Sequence, residues 1–218
     1  MKKKRVIETT EGIREEATVE QYDIMQRGLR DRGLMETKSI LKAGISSGRV
    51  LELGPGPGYL GLEWLQETEN TSLVGVDISP AMIAVAERNR KEYRLQERAE
   101  YLHATVMDIP LENESVDAVF SNGSLHEWEN PGRVIDEIYR VLKPGGKFFI
   151  SDLKRSMNVL ILLFMKLMVK GKAVKRGLET SVRAAYTAHE ITAVFSGTRF
   201  GTCSIKETPF GIEIAGSK

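Results

Sequence analysis

The chain has 218 residues, 41% of them hydrophobic, and a formal net charge of +1. This is enough apolar content for one ordinary domain with a packed core, and so balanced a charge names no partner. A single cysteine, Cys203, excludes a disulfide framework and a cysteine-rich metal centre. It fits a reducing compartment, so a cytoplasmic location is expected. The basic start, MKKKRVIETTEGIREE, has no apolar core behind it and reads as a solvated tail, not a secretory signal. No nucleic-acid partner and no metal are expected.

Residues 1–45 read as a helical cap of one or two helices outside any sheet. From residue 46 strand-like and helix-like stretches alternate. RVLELG (49–54) is a buried-type strand, followed by helical spacing in GYLGLEWLQE (58–67). SLVGVD (72–77) is a second strand. SPAMIAVAERNRKEY (79–93) opens with Ser79 as N-cap and Pro80 at the first helical position. AEYLHA (99–104) and VDAVFSN (116–122) are strands. NPGRVIDEIYRVLKPGG (130–146) is a helix capped by Asn130 and stopped by Pro-Gly-Gly, and KFFISDL (147–153) is a fifth strand. Thr187 and Glu190 form a capping box, and the end reads as a hairpin around Pro-Phe-Gly. Repeated strand–helix units predict an α/β, Rossmann-like doubly wound sheet, mostly parallel, with one antiparallel strand from the terminal hairpin. Such sheets bind ligands at the carboxyl ends of their strands.

The loop LELGPGPGYLG (51–61) lies at one of these ends. It lacks the Gly-Lys-Ser/Thr close of a triphosphate-binding loop. Gly56 to Gly61 formally match G-x-G-x-x-G, but the strand ends at Leu53. Counted from there, the first turn glycine is Gly54 and the pattern is G-x-G-x-G. Glu52 at the strand tip would repel a pyrophosphate and attract a cation. The loop therefore suits a ligand without phosphates that carries positive charge, which S-adenosylmethionine does through its sulfonium and α-ammonium groups.

Five segments in order carry a resemblance: VLELGPGPG, VGVDIS with Asp77, ATVMDIP with Asp108, FSNGSLHEW, and RVLKPGGKFFISD. Together they resemble the class I S-adenosylmethionine-dependent methyltransferases, most of all the small-molecule subgroup that includes the ubiquinone- and menaquinone-biosynthesis enzymes. The resemblance implies a seven-stranded sheet whose last strand is antiparallel. It implies that Gly54, Gly56 and Gly58 admit the cofactor's methionine portion while Glu52 orders its ammonium. Asp77, followed by Ile78, would take the ribose hydroxyls, and Asp108 the adenine amino group with Met107 against the ring. Tyr22 would lie over the cofactor, and Asn122 stands at the fourth strand tip.

The acceptor is read as a small, partly apolar molecule, since SNGSLHEW is not the Asn/Asp-Pro-Pro-Tyr/Phe pattern and no Pro-Cys nucleophile is present. His126 is the one candidate general base, with a loop-ordering role as its alternative. Met25 could share the pocket of Tyr22. His103 and His189 read as structural. Residues 154–183 hold eight basic residues and one acid, and ten of the eleven positions 159–169 are apolar. This insert, about 154–186, reads as a helical lid with Leu163 and Phe164 lining the substrate pocket, as a contact to a membrane surface or lipid-like substrate, or as a dimer interface; the oligomeric state stays open. Two rival functions also stay open: an NAD-dependent oxidoreductase, and a cofactor-binding protein without turnover.

Overall fold

The computed structural model describes residues 5–6, 16–169 and 171–218. Seven strands form one sheet: β1 (Gly48–Leu53), β2 (Thr71–Asp77), β3 (Ala99–His103), β4 (Val116–Asn122), β5 (Leu142–Leu153), β6 (Ser204–Glu207) and β7 (Gly211–Ser217). Their order is β3-β2-β1-β4-β5-β7-β6. The first five run parallel, and β7 is antiparallel to both β5 and β6. The predicted doubly wound seven-stranded sheet is the one observed.

The inner strands are nearly continuous runs of Val, Leu, Ile and Phe because both faces are covered. Alternation decides which side chain goes where. Leu51, Leu53, Val74, Val76 and Val119 belong to one core layer, with Val134, Ile135 and Ile138 of α5 (Pro131–Val141) and Ile191 and Phe195 of α8 (Ala188–Ser196). Val50, Leu73, Ala118 and Phe120 belong to the other, with Ile40 of α2 (Thr37–Lys42) and Leu62, Trp64 and Leu65 of α3 (Tyr59–Gln66). Helices α1 (Glu16–Arg30) and α4 (Pro80–Glu92) pack beside α3 on that second face.

Local chemistry explains the helix starts. Ser79 Oγ accepts from the Met82 amide with Pro80 at the first helical position, and Asn130 Oδ1 accepts from the Arg133 amide above Pro131. The Thr187–Glu190 capping box is closed in both directions. One boundary differs from the sequence reading. Helix α5 ends at Val141, not at Pro-Gly-Gly, and β5 begins at Leu142. Proline at 144 disfavours helical backbone at Lys143, and Leu142 gains a strand partner in Val116 across a bulge.

The stretch after β5 folds into α6 (Val159–Met168) and α7 (Lys172–Ala184). Among the described residues no helix is long and apolar enough to cross a membrane. The basic start of the chain lies outside the described residues apart from Arg5, as does Lys170.

Candidate active site

The carboxyl ends of β1, β2, β3 and β4 open into a cleft of about 840 Å³, counted to its open mouth. Glycines 54, 56 and 58 all have positive φ, 66°, 53° and 82°, so the loop after β1 can turn sharply twice before α3 begins. Tyr22, Gly54, Gly56, Asp77, Ile78 and Met107 line the cleft. On the far side of Gly54 lies a smaller recess bounded by Tyr22, Glu52, Gly54 and Asn122. Tyr22 and Gly54 border both, so the two spaces adjoin.

Glu52 is 2% exposed, and its Oε2 has no hydrogen-bond partner among the described residues. Burial, then repulsion from Asp77, pushes its carboxyl from the ordinary 4.5 up to about 8, against the opposing pull of the Gly61 amide. A buried carboxylate oxygen without a donor is costly, and a cationic ligand removes that cost. The residues present therefore fit the ammonium end of S-adenosylmethionine. They do not fit a pyrophosphate, whose negative charge would oppose the ionisation of Glu52 where an ammonium favours it.

Asp77 has a second task beyond the ribose role the resemblance implies. Its Oδ1 accepts from the Ser79 amide at 2.8 Å and its Oδ2 from the Gly56 amide at 3.0 Å. The carboxylate thus braces the glycine loop against the second strand tip while it borders the cleft. Burial raises its pKa, and the backbone donors of Ser79 and Gly56 lower it.

Helix α1 is fastened over this loop by buried Asp23. Its Oδ1 accepts from the Tyr59 hydroxyl at 3.0 Å, and its Oδ2 accepts from Arg27 and Arg88, each at 2.9 Å. Next to Asp23 in the chain, the Tyr22 ring reaches the loop: a Cβ built on Gly56 would lie 3.4 Å from its Cε1. Burial pushes the Tyr22 phenol up to about 12, and its oxygen accepts from Gln26 at 2.9 Å. Tyr22 is thus a neutral aromatic wall.

Several expected residues stand elsewhere. His126 is 4% exposed, lies in the 3-10 turn Leu125–Glu127 and is not on the cleft wall. Its Nδ1 lies 2.9 Å from Asp152 Oδ1, and its amide donates to Asp152 Oδ2 at 2.7 Å. Arg5 donates to the His126 carbonyl at 3.0 Å. This geometry orders the turn. His126 does not line the cleft, but its Nε2 lies 3.9 Å from Glu127 Oε1, which does, so the side chain stands one residue behind the wall that the general-base expectation placed it on. Asp108 is exposed and off the wall; its amide closes a turn to the Thr105 carbonyl. Gly58 is the N-cap of α3 rather than a wall residue. Met25 lines neither space. Leu163 and Phe164 are 54% and 53% exposed and lie outside the cleft, because α6 stands off the domain and buries no residue.

Other wall residues went unnoticed in the sequence: Thr105 and Val106 after β3, and Ser124, Glu127, Trp128 and Glu129 after β4. Trp128 Nε1 donates to Ser124 Oγ at 2.8 Å, which fixes the indole. An acid–aromatic pair beside a strand tip was the available signal. The 3-10 turn buries Leu125 and His126 and leaves Glu127 and Trp128 on the cleft.

Residues 51–150 match the model of a methyltransferase domain. The chain is 32% identical over 112 residues to the erythromycin 3''-O-methyltransferase of Saccharopolyspora erythraea, which takes in 51% of this chain and 37% of that protein. It is 30% identical over 104 residues to the demethylmenaquinone methyltransferase of Thermus thermophilus, covering 48% and 46%. The chain thus spans less than half the length of these two relatives. A solved structure from Methanococcus maripaludis, described as an S-adenosyl-L-methionine-dependent methyltransferase, superposes with a TM-score of 0.75 at 23% identity and covers 94% of this chain and 93% of that one. A second from Aquifex aeolicus gives 0.70 at 20% identity over 93% and 98%. Sheet order, glycine loop and domain match agree: residues 51–150 match a methyltransferase domain, and the chain has the fold of these solved S-adenosylmethionine-dependent methyltransferases.

Proposed function

We propose that this protein transfers a methyl group from S-adenosylmethionine to a small, partly apolar acceptor by in-line displacement. One observation carries the reading: a fully enclosed, unpartnered Glu52 oxygen behind a glycine loop, with a second carboxylate, Asp77, at the next strand tip. The cofactor supplies an electrophilic methyl on a sulfonium. The chain's residues supply position. Glu52 takes the ammonium, Asp77 the ribose hydroxyls, and Ile78 and Met107 flank the adenine, with Asp108 at the edge of that region. Tyr22 and Trp128 wall the cleft and exclude water. Asn122, fixed by a hydrogen bond from Ser151 Oγ at 2.9 Å, borders the recess. Orientation alone can account for a large part of such a rate, so no base on the wall is required unless the acceptor must lose a proton.

The acceptor class is supported by the relatives, whose names specify a macrolide, a quinone and a sterol as substrates. His126 acts through Asp152 as a positioning residue for the turn that carries Glu127 and Trp128. The test is a thermal-shift titration followed by a turnover assay. Stabilisation by S-adenosylhomocysteine but not NADH is expected. Stabilisation by NADH instead, or tight cofactor binding with no turnover on any macrolide, quinone or sterol acceptor, overturns the reading.

A further inference from the structure

Helix α6 presents an apolar face with nothing packed on it. Val159, Leu160, Leu163, Phe164, Leu167 and Met168 are 45–73% exposed and recur at i, i+4 and i+8, so they form one continuous stripe along its outer side. At ten residues the helix is about 15 Å long, too short to span a bilayer and long enough to lie in its surface. The charge beside it is one-sided. Residues 154–183 carry eight basic residues and one acid, 8 − 1 = +7, which leaves 1 − 7 = −6 for the rest of the chain. The single acid, Glu179, is held by Lys166 across α6 and α7, so it does not offset the α7 cations. Arg176 and Arg183 on α7 are exposed and Lys175 half-buried.

We propose that α6 and α7 dock the protein on an anionic membrane surface, with the α6 stripe in the headgroup–acyl boundary and the α7 cations against the headgroups. Charge selects lipid over a second copy of the chain. Lys154 and Arg155 are paired with Glu207 and Glu190, but a two-fold contact through this face would still set the α7 cations of one copy against those of the other, whereas anionic headgroups neutralise them. The lid alternative is not met, since none of the stripe residues lines the cleft. Helix α7 packs on α1 and on the Leu125–Glu127 turn, both of which border the cleft. Docking therefore brings the cleft within one helix layer of the lipid. The proposal is independent of the cofactor reading.

The experiment is co-sedimentation of the full chain with vesicles of phosphatidylcholine containing phosphatidylglycerol, against phosphatidylcholine alone, at low and high salt. Binding to the anionic vesicles at low salt, release by salt, and little binding to neutral vesicles are expected. Leu160→Glu/Leu167→Glu should abolish binding without lowering the thermal midpoint, because both side chains are already in water. Lys175→Gln/Arg176→Gln keeps the stripe intact and should weaken partitioning by about 30-fold. S-adenosylhomocysteine binding, measured in parallel, should be unchanged in both variants. The proposal is overturned if folded wild-type protein does not sediment at low salt, if neutral vesicles bind equally, or if the Glu variant sediments like wild type. A wild-type dimer that Leu160→Glu/Leu167→Glu converts to monomer, without vesicle binding, assigns the stripe to self-association instead.

Discussion

Replacing Glu52 by Gln keeps the side chain's size and removes its ability to ionise. In the free protein the wild-type carboxyl, pushed up to about 8, is mostly protonated at neutral pH. A cationic ligand must therefore ionise it, at about 1.4 kcal/mol for each pH unit below 8. A buried, hydrogen-bonded charge pair lost at one partner costs roughly 2–5 kcal/mol. At about pH 7 the difference leaves roughly 0.6–3.6 kcal/mol, about a 3- to 400-fold weaker affinity for S-adenosylhomocysteine in Glu52→Gln. At about pH 6 the ionisation cost doubles and the advantage of the wild type should shrink by about a further tenfold. Titration calorimetry in buffers of different ionisation heat checks this directly: wild type should release close to one proton on binding at about pH 7, and the variant none. The free protein supplies the opposite sign. A carboxyl raised above its ordinary 4.5 contributes stability that is present below that value and lost as pH rises through about 8. The ligand-free wild type should thus lose thermal stability relative to Glu52→Gln over that window. Equal affinities at about pH 8 with no proton release would refute the assignment of Glu52 to the ammonium.

Asp77→Ala should weaken cofactor binding by roughly 1–3 kcal/mol and also lower the thermal midpoint, since the Gly56 and Ser79 amides lose their acceptor; unchanged affinity in a folded variant by calorimetry would remove Asp77 from the ribose site. Asp23→Ala should free α1 from the Tyr59 hydroxyl and lower S-adenosylhomocysteine affinity through Tyr22, although Asp23 touches no ligand; an affinity equal to wild type would show that α1 is not held by this buried carboxylate. His126→Asn should lower the thermal midpoint and turnover together while the pH–rate profile keeps its shape. Loss of a limb in the histidine range would restore the general-base role.

The sheet was legible because its evidence is local and repeated. Each strand is a short apolar run, each helix start carries its own cap, and sequential strands joined by helices can close only into a parallel sheet. The cofactor end was legible for the same reason: Glu52, Gly54 and Asp77 are strand tips, and strand tips of such a sheet converge on one edge. The acceptor end was not, because it is built from turns. Whether His126 or its neighbours Glu127 and Trp128 face the cleft depends on one 3-10 turn held by Asp152, twenty-six residues downstream, and no periodicity records that. Helix α6 failed as a lid for a different reason. An apolar helix reports that something must cover it, and its composition alone does not say whether that is the domain or another phase.

Gly61 shows how far a pattern can mislead when its cause is not identified. With Gly56 and Gly58 it completes the dinucleotide spacing, and there the third glycine serves close helix–strand packing. Here a Cβ at Gly61 would collide with Glu52 Oε2 and Leu73 Cδ2. The missing side chain makes room for the carboxylate itself, and the Gly61 amide is the backbone donor that lowers its pKa. The same three glycines therefore serve opposite electrostatics. In a phosphate site they expose amides to an anionic ligand. In this loop Gly61 makes room for a carboxyl belonging to the protein, which ionises to take a cation. The residue that decides between the two is not a glycine at all but the acid at position 52, two residues ahead of the loop.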